Sequence, residues 1–260
     1  MHMQTKWVGV LGSLLFTLML TGCSSGGGDG RNDAPAAAPS AAIADTAEGL
    51  WTGTTGDGRT ISGVVLDDDT YWLWYSAVGQ PSVLAGGFQG SGLSQNGAFT
   101  SANGIDFNLE GIGPFGPMDT TVAASYVLRN SFNGVITYPT MTQTTFTSTF
   151  NTDYVAAPNV ASLVGTYIWS TTGGIFTTSI DPSGSITGTF SICNYSGAVS
   201  SRTSGNVYDV SITAFGRLCG GSGLLQTGVA WFDAATNRLF ISTLNRANGT
   251  FSILFLGTKQ

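Results

Sequence analysis

From residue 49 onward, the chain consists of short runs of alternating apolar and polar residues, separated by turn-forming residues. Residues 60–66 and 70–75, joined by three aspartates, have the pattern of a β-hairpin, in which alternate side chains face opposite sides of a sheet. Residues 175–180 and 185–192, joined by Asp-Pro-Ser-Gly, repeat this pattern. No long segment has the apolar period of about 3.6 residues that an amphipathic helix would show. The sequence therefore predicts an all-β protein with very little helix.

The predicted strands fall into two groups of similar size. We count about eight between residues 49 and 154 and about eight between residues 162 and 257. Both groups open alike, with Leu50-Trp51-Thr52-Gly53-Thr54 in the first and Leu163-Val164-Gly165-Thr166-Tyr167 in the second, and residues 154–161 have the composition of a linker. We predict two consecutive antiparallel β modules, residues 48–154 and 162–260, each an up-and-down barrel or a strongly curled sheet that hides its edges by closure. One continuous β-sandwich is the alternative.

The composition supports short strands with tight turns and limits the classes of partner. Glycine accounts for 37 of 260 residues and charged residues for only 9%, which favours β structure with many turns. Acidic residues outnumber basic ones by 15 to 9, which gives a net charge of −6. Because the basic residues form no cluster in the sequence, we expect no nucleic-acid partner.

The N-terminus has the layout of a secretory signal over residues 1–22, with Lys6 before an apolar run over residues 7–20. As a helix this run would be about 21 Å long, too short for the hydrocarbon core of a bilayer, which is about 30 Å thick. The motif Leu20-Thr21-Gly22-Cys23 resembles the lipobox of bacterial lipoproteins. The resemblance implies cleavage before Cys23, acylation of this cysteine with chains such as palmitate, and a lipid anchor in the cell envelope.

Two further expectations follow from this resemblance. Ser24 stands where an aspartate would favour the inner membrane, so we expect the outer membrane, on a face that the sequence does not specify. Residues 23–47, rich in Gly, Ser, Ala and Pro, are predicted to be a lipidated flexible tether.

Residues 49–59 and 228–236 are also similar to two-module β lipoproteins of proteobacteria, a likeness that implies no particular activity. An integral outer-membrane barrel agrees less well with the lipobox and with the short strands.

Cys193 and Cys219 are the two remaining cysteines. In an exported protein such a pair usually forms a disulfide. Closing a loop of about 26 residues would stabilise the fold by about 3–4 kcal/mol. A zinc site is the weaker alternative, because two thiolates without a histidine or a further cysteine do not complete a zinc shell.

Histidine and glutamate limit the chemistry of the chain. The single histidine, His2, lies in the predicted signal peptide, so no histidine-based catalysis is expected. Glu48 and Glu110 are the only glutamates, and we expect them, like the nearby Asp106, to be solvated loop acids. The aspartates at positions 67–69 lack the spacing of an EF-hand loop and are predicted to form a solvated turn. We therefore predict no catalytic residue, no metal site and no cofactor.

The segment Tyr71-Trp72-Leu73-Trp74-Tyr75 is the best candidate for a binding surface. Strand alternation places Trp72 and Trp74 on one face and the other three side chains on the opposite face. One face would fill a core, and Trp72 and Trp74 could then form an aromatic platform for a sugar, a lipid or a partner protein. The alternative is that both faces are covered.

These observations favour a lipid-anchored, non-enzymatic binding or structural module, with a protein, a glycan or a small apolar molecule as the possible ligand. The first alternative is a lipocalin-like carrier, which requires an internal cavity of hundreds of cubic ångströms. The second is a carboxylate-dependent glycoside hydrolase, which requires two acids that face each other across a cleft.

Overall fold

The computed structural model of the protein describes residues 45–110, 117–171, 174–217, 219, 221–243 and 252–260. The predicted signal peptide, the predicted lipidation site Cys23 and nearly all of the predicted tether lie outside these ranges. The described residues belong to one compact unit. Within them, the structure contains no helix that is both long and apolar enough to cross a membrane.

The first barrel is built from the strands β1 (Gly49–Thr55), β2 (Thr60–Val65), β3 (Thr70–Ala77), β4 (Gln80–Ser91), β5 (Leu93–Gln95), β6 (Ala98–Asn108), β7 (Met118–Val127), β8 (Ser131–Thr137) and β9 (Gln143–Phe150). The sheet closes because β1 pairs with both β2 and β9, and β4 pairs with both β3 and β6. The short β5 follows β4 after one residue and also pairs with β6. Because β4 and β5 pair with successive parts of β6, they count as one strand, and the antiparallel sheet is an eight-stranded up-and-down barrel.

The second barrel is built from the strands β10 (Gly165–Thr171), β11 (Gly174–Ile180), β12 (Ser185–Phe190), β13 (Cys193–Ser201), β14 (Tyr208–Phe215), β15 (Leu225–Asp233), β16 (Arg238–Ser242) and β17 (Leu254–Lys259). Consecutive strands are antiparallel, and β10 pairs with β17 to close the barrel. The prediction of two consecutive all-β modules is therefore confirmed, and a single continuous sandwich is excluded.

The turn between β11 and β12 shows why the predicted hairpins form. The Asp181 carboxylate accepts hydrogen bonds from the backbone N–H groups of Ser183 and Ser185, at 2.8 and 3.0 Å. Gly184 completes the turn with a φ of 81°, a conformation that side chains disfavour. Both hairpins named from the sequence, at residues 60–75 and 175–192, are present.

The segment between the barrels contains two short helical turns, a 3₁₀ turn at Thr152–Val155 and α1 at Val160–Leu163, each capped by an asparagine side chain. Tyr154 is buried, and its hydroxyl donates a hydrogen bond to Glu48 Oε1 at 2.9 Å. The residues that resemble a linker in the sequence are thus folded against the start of the first barrel.

Three apolar clusters organise the packing. The first two fill the interiors of the two barrels with aromatic and aliphatic side chains. The third lies between the barrels and draws buried residues from both; these are Leu50, Val64, Leu66, Trp74, Leu84, Tyr154, Val207, Val229, Trp231, Phe240, Leu254 and Leu256. Because strand side chains alternate, the inward positions of a strand fill its own barrel, and the outward positions of the strands that face the other barrel form the shared interface.

The predicted disulfide between Cys193 and Cys219 is present. Cys193 opens β13, and Cys219 lies in the connection between β14 and β15. The bond closes a loop with a sequence separation of 26 residues and ties that connection to the turn before β13.

Candidate functional site

The two tryptophans of β3 share a face, as the alternation predicts, and this face points away from the interior of the first barrel. Trp74 is only 2% exposed, since it packs edge-on against Phe240 with ring centroids 5.5 Å apart. Its Nε1 donates a hydrogen bond to the carbonyl oxygen of Ile241 at 3.4 Å. The prediction of a platform is therefore wrong for Trp74, because the second barrel covers this side chain completely.

Trp72 remains partly exposed and lies at one edge of the covered region. It borders a groove between the barrels with a volume of about 490 Å³. The polar residues that line this groove are Thr70 and Gln89 from the first barrel, and Ser200, Asp209, Ser211 and Thr227 from the second. An aromatic side chain and several hydrogen-bonding groups thus surround one concave site.

The charges beside the groove are already paired. Arg202, in the connection between β13 and β14, contacts Asp209 at 2.5 Å and Asp67 at 2.9 Å. The second of these contacts joins the two barrels. Because two carboxylates occupy this guanidinium, the described groove residues suit a neutral ligand better than an anion.

A second polar cluster lies at the end of the first barrel where β1 and β2 are joined. Asp106 on β6 is 2% exposed and accepts hydrogen bonds from the hydroxyls of Tyr75 and Tyr138, at 2.8 and 2.9 Å. Burial raises the pKa of Asp106 to about 6, against the opposing effects of both hydrogen bonds and of Arg59. Burial, and then the nearby Asp106 carboxylate, also raise the pKa of each tyrosine, so both hydroxyls remain protonated donors.

Arg59 lies over this cluster and pairs with two further acids. Its Nε lies 2.9 Å from Asp57 and its Nη2 lies 2.8 Å from Glu110. The guanidinium carbon also lies 5.3 Å from the centre of the Tyr75 ring, within range of a cation–π contact. The cavity lined by this cluster has a volume of only about 90 Å³. Asp106, predicted to be solvated, is instead buried, whereas Glu110 remains exposed as predicted and pairs with Arg59.

This geometry does not suit a pair of hydrolytic carboxylates. Glu110 and Asp57 are brought close, but the Arg59 guanidinium occupies the space between them. A glycosidase needs that space for the sugar and the water that attacks it. Asp106 is closed in by its two tyrosine partners, so the cluster acts as a polar plug at the end of the barrel.

The remaining acids that the sequence singled out have structural partners. Asp67 pairs with Arg202, whereas the Asp69 carboxylate accepts hydrogen bonds from the backbone N–H and the hydroxyl of Ser94, at 2.8 and 2.6 Å. Glu48 accepts from Tyr154 and from a serine hydroxyl of the second barrel. The described residues contain no cluster of three or more side chains that could hold a metal ion.

No protein-family model matches the sequence, and no curated protein is significantly similar to it. Sequence reasoning missed the groove residues Gln89 and Asp209, and also Arg202, which pairs with Asp209 beside the groove. Gln89 is on the first barrel and lies more than a hundred residues from Arg202 and Asp209, which are on the second, so no local pattern could have indicated that the two sides meet.

Proposed function

We propose that the protein is a lipid-anchored, non-enzymatic binding module of the bacterial cell envelope, and that the groove between its barrels binds a neutral oligosaccharide. The observation that carries this proposal is the partly exposed Trp72 beside a set of hydroxyl and amide groups. A sugar ring offers an apolar face that fits the flat indole, and hydroxyls at its edge that pair with short polar side chains.

The size and rigidity of the groove support this assignment. Its volume of about 490 Å³ lies within the range of small-molecule sites, about 300–1,000 Å³. Its walls are strands of two closed barrels that share a buried apolar interface, so the polar groups are held in place before a ligand arrives. Preorganisation of this kind lowers the entropic cost of binding.

The filled barrels do not favour the lipocalin-like carrier. Aromatic and aliphatic side chains occupy both interiors, and the pockets lined by inward residues of the first barrel have volumes of only about 30 and 90 Å³. A carrier of an apolar ligand would need several times this volume. The hydrolase receives no support from the acids at the end of the first barrel, because Arg59 lies between two of them.

The lipobox supports the anchoring part of the proposal. Acylation at Cys23 would hold the protein on a membrane, since several acyl chains together make an effectively permanent anchor. Labelling with palmitate should therefore mark the wild-type protein and leave Cys23→Ala unlabelled. Protease treatment of intact cells would then show which face of the outer membrane carries the barrels. Label retained in Cys23→Ala would contradict the anchor.

The binding part is tested on an array of immobilised neutral oligosaccharides. We expect the wild-type protein to bind a subset of them, and we expect Trp72→Ala and Gln89→Ala to lose this binding. Trp72→Phe, which keeps an aromatic face, should retain part of it, and Val127→Ala, which changes an exposed residue of β7, should retain all of it. Wild-type protein that binds no sugar, or Trp72→Ala that binds as well as the wild type, would overturn the proposal.

A further inference from the structure

One end of the second barrel exposes several large apolar side chains. At this end lie the last residues of β10, β12, β14 and β16 and the first residues of β11, β13, β15 and β17. Five of its residues are 46% to 64% exposed; these are Ile175, Ile192, Phe215, Leu224 and Leu225. Isolated exposed apolar residues are common, but a group at one end of a domain usually marks an interaction surface.

The topology explains why these residues gather. Neighbouring strands run in opposite directions, so the start of β11, the end of β14 and the start of β15 lie at the same end of the barrel as the turn before β13. The disulfide between Cys193 and Cys219 lies at this end and fixes two of the connections to each other. The five side chains therefore lie together on one rim of the barrel, the apolar rim, where the disulfide restrains two of the connections.

The acidic residues of the second barrel lie at the end opposite to these apolar side chains. Residues 162–260 contain only three acids, Asp181, Asp209 and Asp233. All three lie at the opposite end, in the turn after β11, at the start of β14 and at the end of β15. Arg217, an exposed residue in the connection after β14, lies at the apolar end.

Both ends of the first barrel differ from this apolar end. One carries Asp57, Glu110 and Asp119 beside its exposed apolar residues, and the other carries the three aspartates at positions 67–69. In a chain with a net charge of −6, the apolar end of the second barrel is the one barrel end whose described residues include no acid.

We propose that this end of the second barrel inserts its apolar rim into the interfacial layer of an anionic lipid bilayer. Ile, Leu and Phe side chains gain free energy when they leave water for the boundary of the acyl chains, and a nearby arginine is attracted to anionic headgroups. The acids at the far end stay away from the negative surface. This contact does not depend on the oligosaccharide groove or on acylation of Cys23.

The test uses the mature chain, residues 23–260, with Cys23→Ser, so that no signal peptide and no acyl chain is attached and the other two cysteines are joined. An environment-sensitive fluorophore is placed at Leu225→Cys in one sample and, as the matched control, at Ser183→Cys at the opposite end of the barrel. Each sample is mixed with vesicles of phosphatidylcholine and phosphatidylglycerol that contain brominated acyl chains. We expect quenching by the bromine atoms at residue 225 and none at residue 183.

Two further variants define the contact. Ile192→Asn combined with Leu224→Asn removes two apolar side chains, so the equilibrium constant for insertion into the bilayer should decrease at least about tenfold. Arg217→Gln should weaken quenching on anionic vesicles. Equal quenching at both label positions, or quenching at neither, would overturn the proposal, as would equal quenching on vesicles of phosphatidylcholine alone. A label at residue 225 that becomes buried in a dimer without lipid would assign the rim to a second copy of the chain.

Discussion

The indole Nε1 of Trp74, on β3 of the first barrel, donates a hydrogen bond to the carbonyl oxygen of Ile241, on β16 of the second. Trp74 also packs edge-on against Phe240, which stacks in turn on Trp231 with ring centroids 4.7 Å apart. All four residues are at least nine-tenths buried. The barrels therefore meet through packing of the kind found inside a domain.

We expect this apolar contact to contribute far more to stability than the ion pair beside it. Trp74→Ala should lower the free energy of unfolding by about 3–5 kcal/mol, because it removes a large buried side chain and leaves a cavity. Asp67→Asn should cost less than about 1 kcal/mol, since the Asp67 side chain is 48% exposed and its pair with Arg202 is screened by solvent. Urea unfolding followed by circular dichroism would measure both, and equal losses would contradict this ranking.

Because of Asp106, the free energy of unfolding should decrease as the pH rises, which is the opposite of the effect of an acid whose pKa is lowered by folding. Burial raises its pKa in the folded state to about 6, above the ordinary value of 3.8. The stabilisation from the bound proton is therefore complete below the unfolded pKa and is lost as the pH rises to about 6. The loss should approach about 3 kcal/mol.

Asp106→Asn is the matched variant for this effect, because an amide keeps an acceptor for a tyrosine hydroxyl and does not titrate. The difference in free energy of unfolding between wild type and Asp106→Asn, measured by urea titration from about pH 4 to pH 7, should change in favour of the variant as the pH rises. A constant difference over this interval would show that Asp106 titrates normally.

The disulfide should stabilise the second barrel through the unfolded state. Replacing both Cys193 and Cys219 by alanine should lower the free energy of unfolding by about 3–4 kcal/mol, because the unfolded chain is no longer constrained by a closed loop. Chemical reduction of the wild-type protein should produce a similar loss. Denaturant midpoints measure both, and an unchanged midpoint would show that the bond adds nothing to stability.

Gly53 and Gly63 offer a matched test of close strand packing in the first barrel. A Cβ at Gly53 would lie 1.9 Å from the backbone oxygen of Thr147, whereas a Cβ at Gly63 would meet nothing closer than 3.3 Å. Gly53→Ala should therefore cost about 1–3 kcal/mol, and Gly63→Ala less than about 1 kcal/mol. Thermal unfolding would rank them, and the reverse order would contradict the packing described here.

Much of the fold could be predicted from local patterns. The turn at Asp181 and the alternation through Trp72 and Trp74 depend on neighbouring residues, so both hairpins and the shared face of the tryptophans followed from the sequence. What covers that face did not, because alternation assigns a side chain to one side of a sheet without specifying what packs there. The second barrel covers Trp74 and leaves Trp72 at the edge of a groove.

The polar sites could not be predicted from the sequence, because their members are far apart along the chain. Asp106 bonds to tyrosines 31 and 32 residues away, and Arg202 pairs with Asp67 across 135 residues. The tyrosines meet Asp106 once the first barrel has closed, and Arg202 meets Asp67 only when the two barrels are packed together, so neither set of partners is visible in the sequence.

Closure of the barrels also sets the order in which the two halves can complete their fold when the chain emerges N-terminus first. The first barrel closes through β1 and β9, so all of its strands are available once residue 150 has emerged. In the second barrel β10 finds its second neighbour only in β17, where Tyr167 lies opposite Lys259. Until the last strand emerges, β10 and β16 each keep an unpaired edge that could join to another chain. In the interval between these two closures, an emerging chain is most exposed to edge-to-edge pairing with other chains.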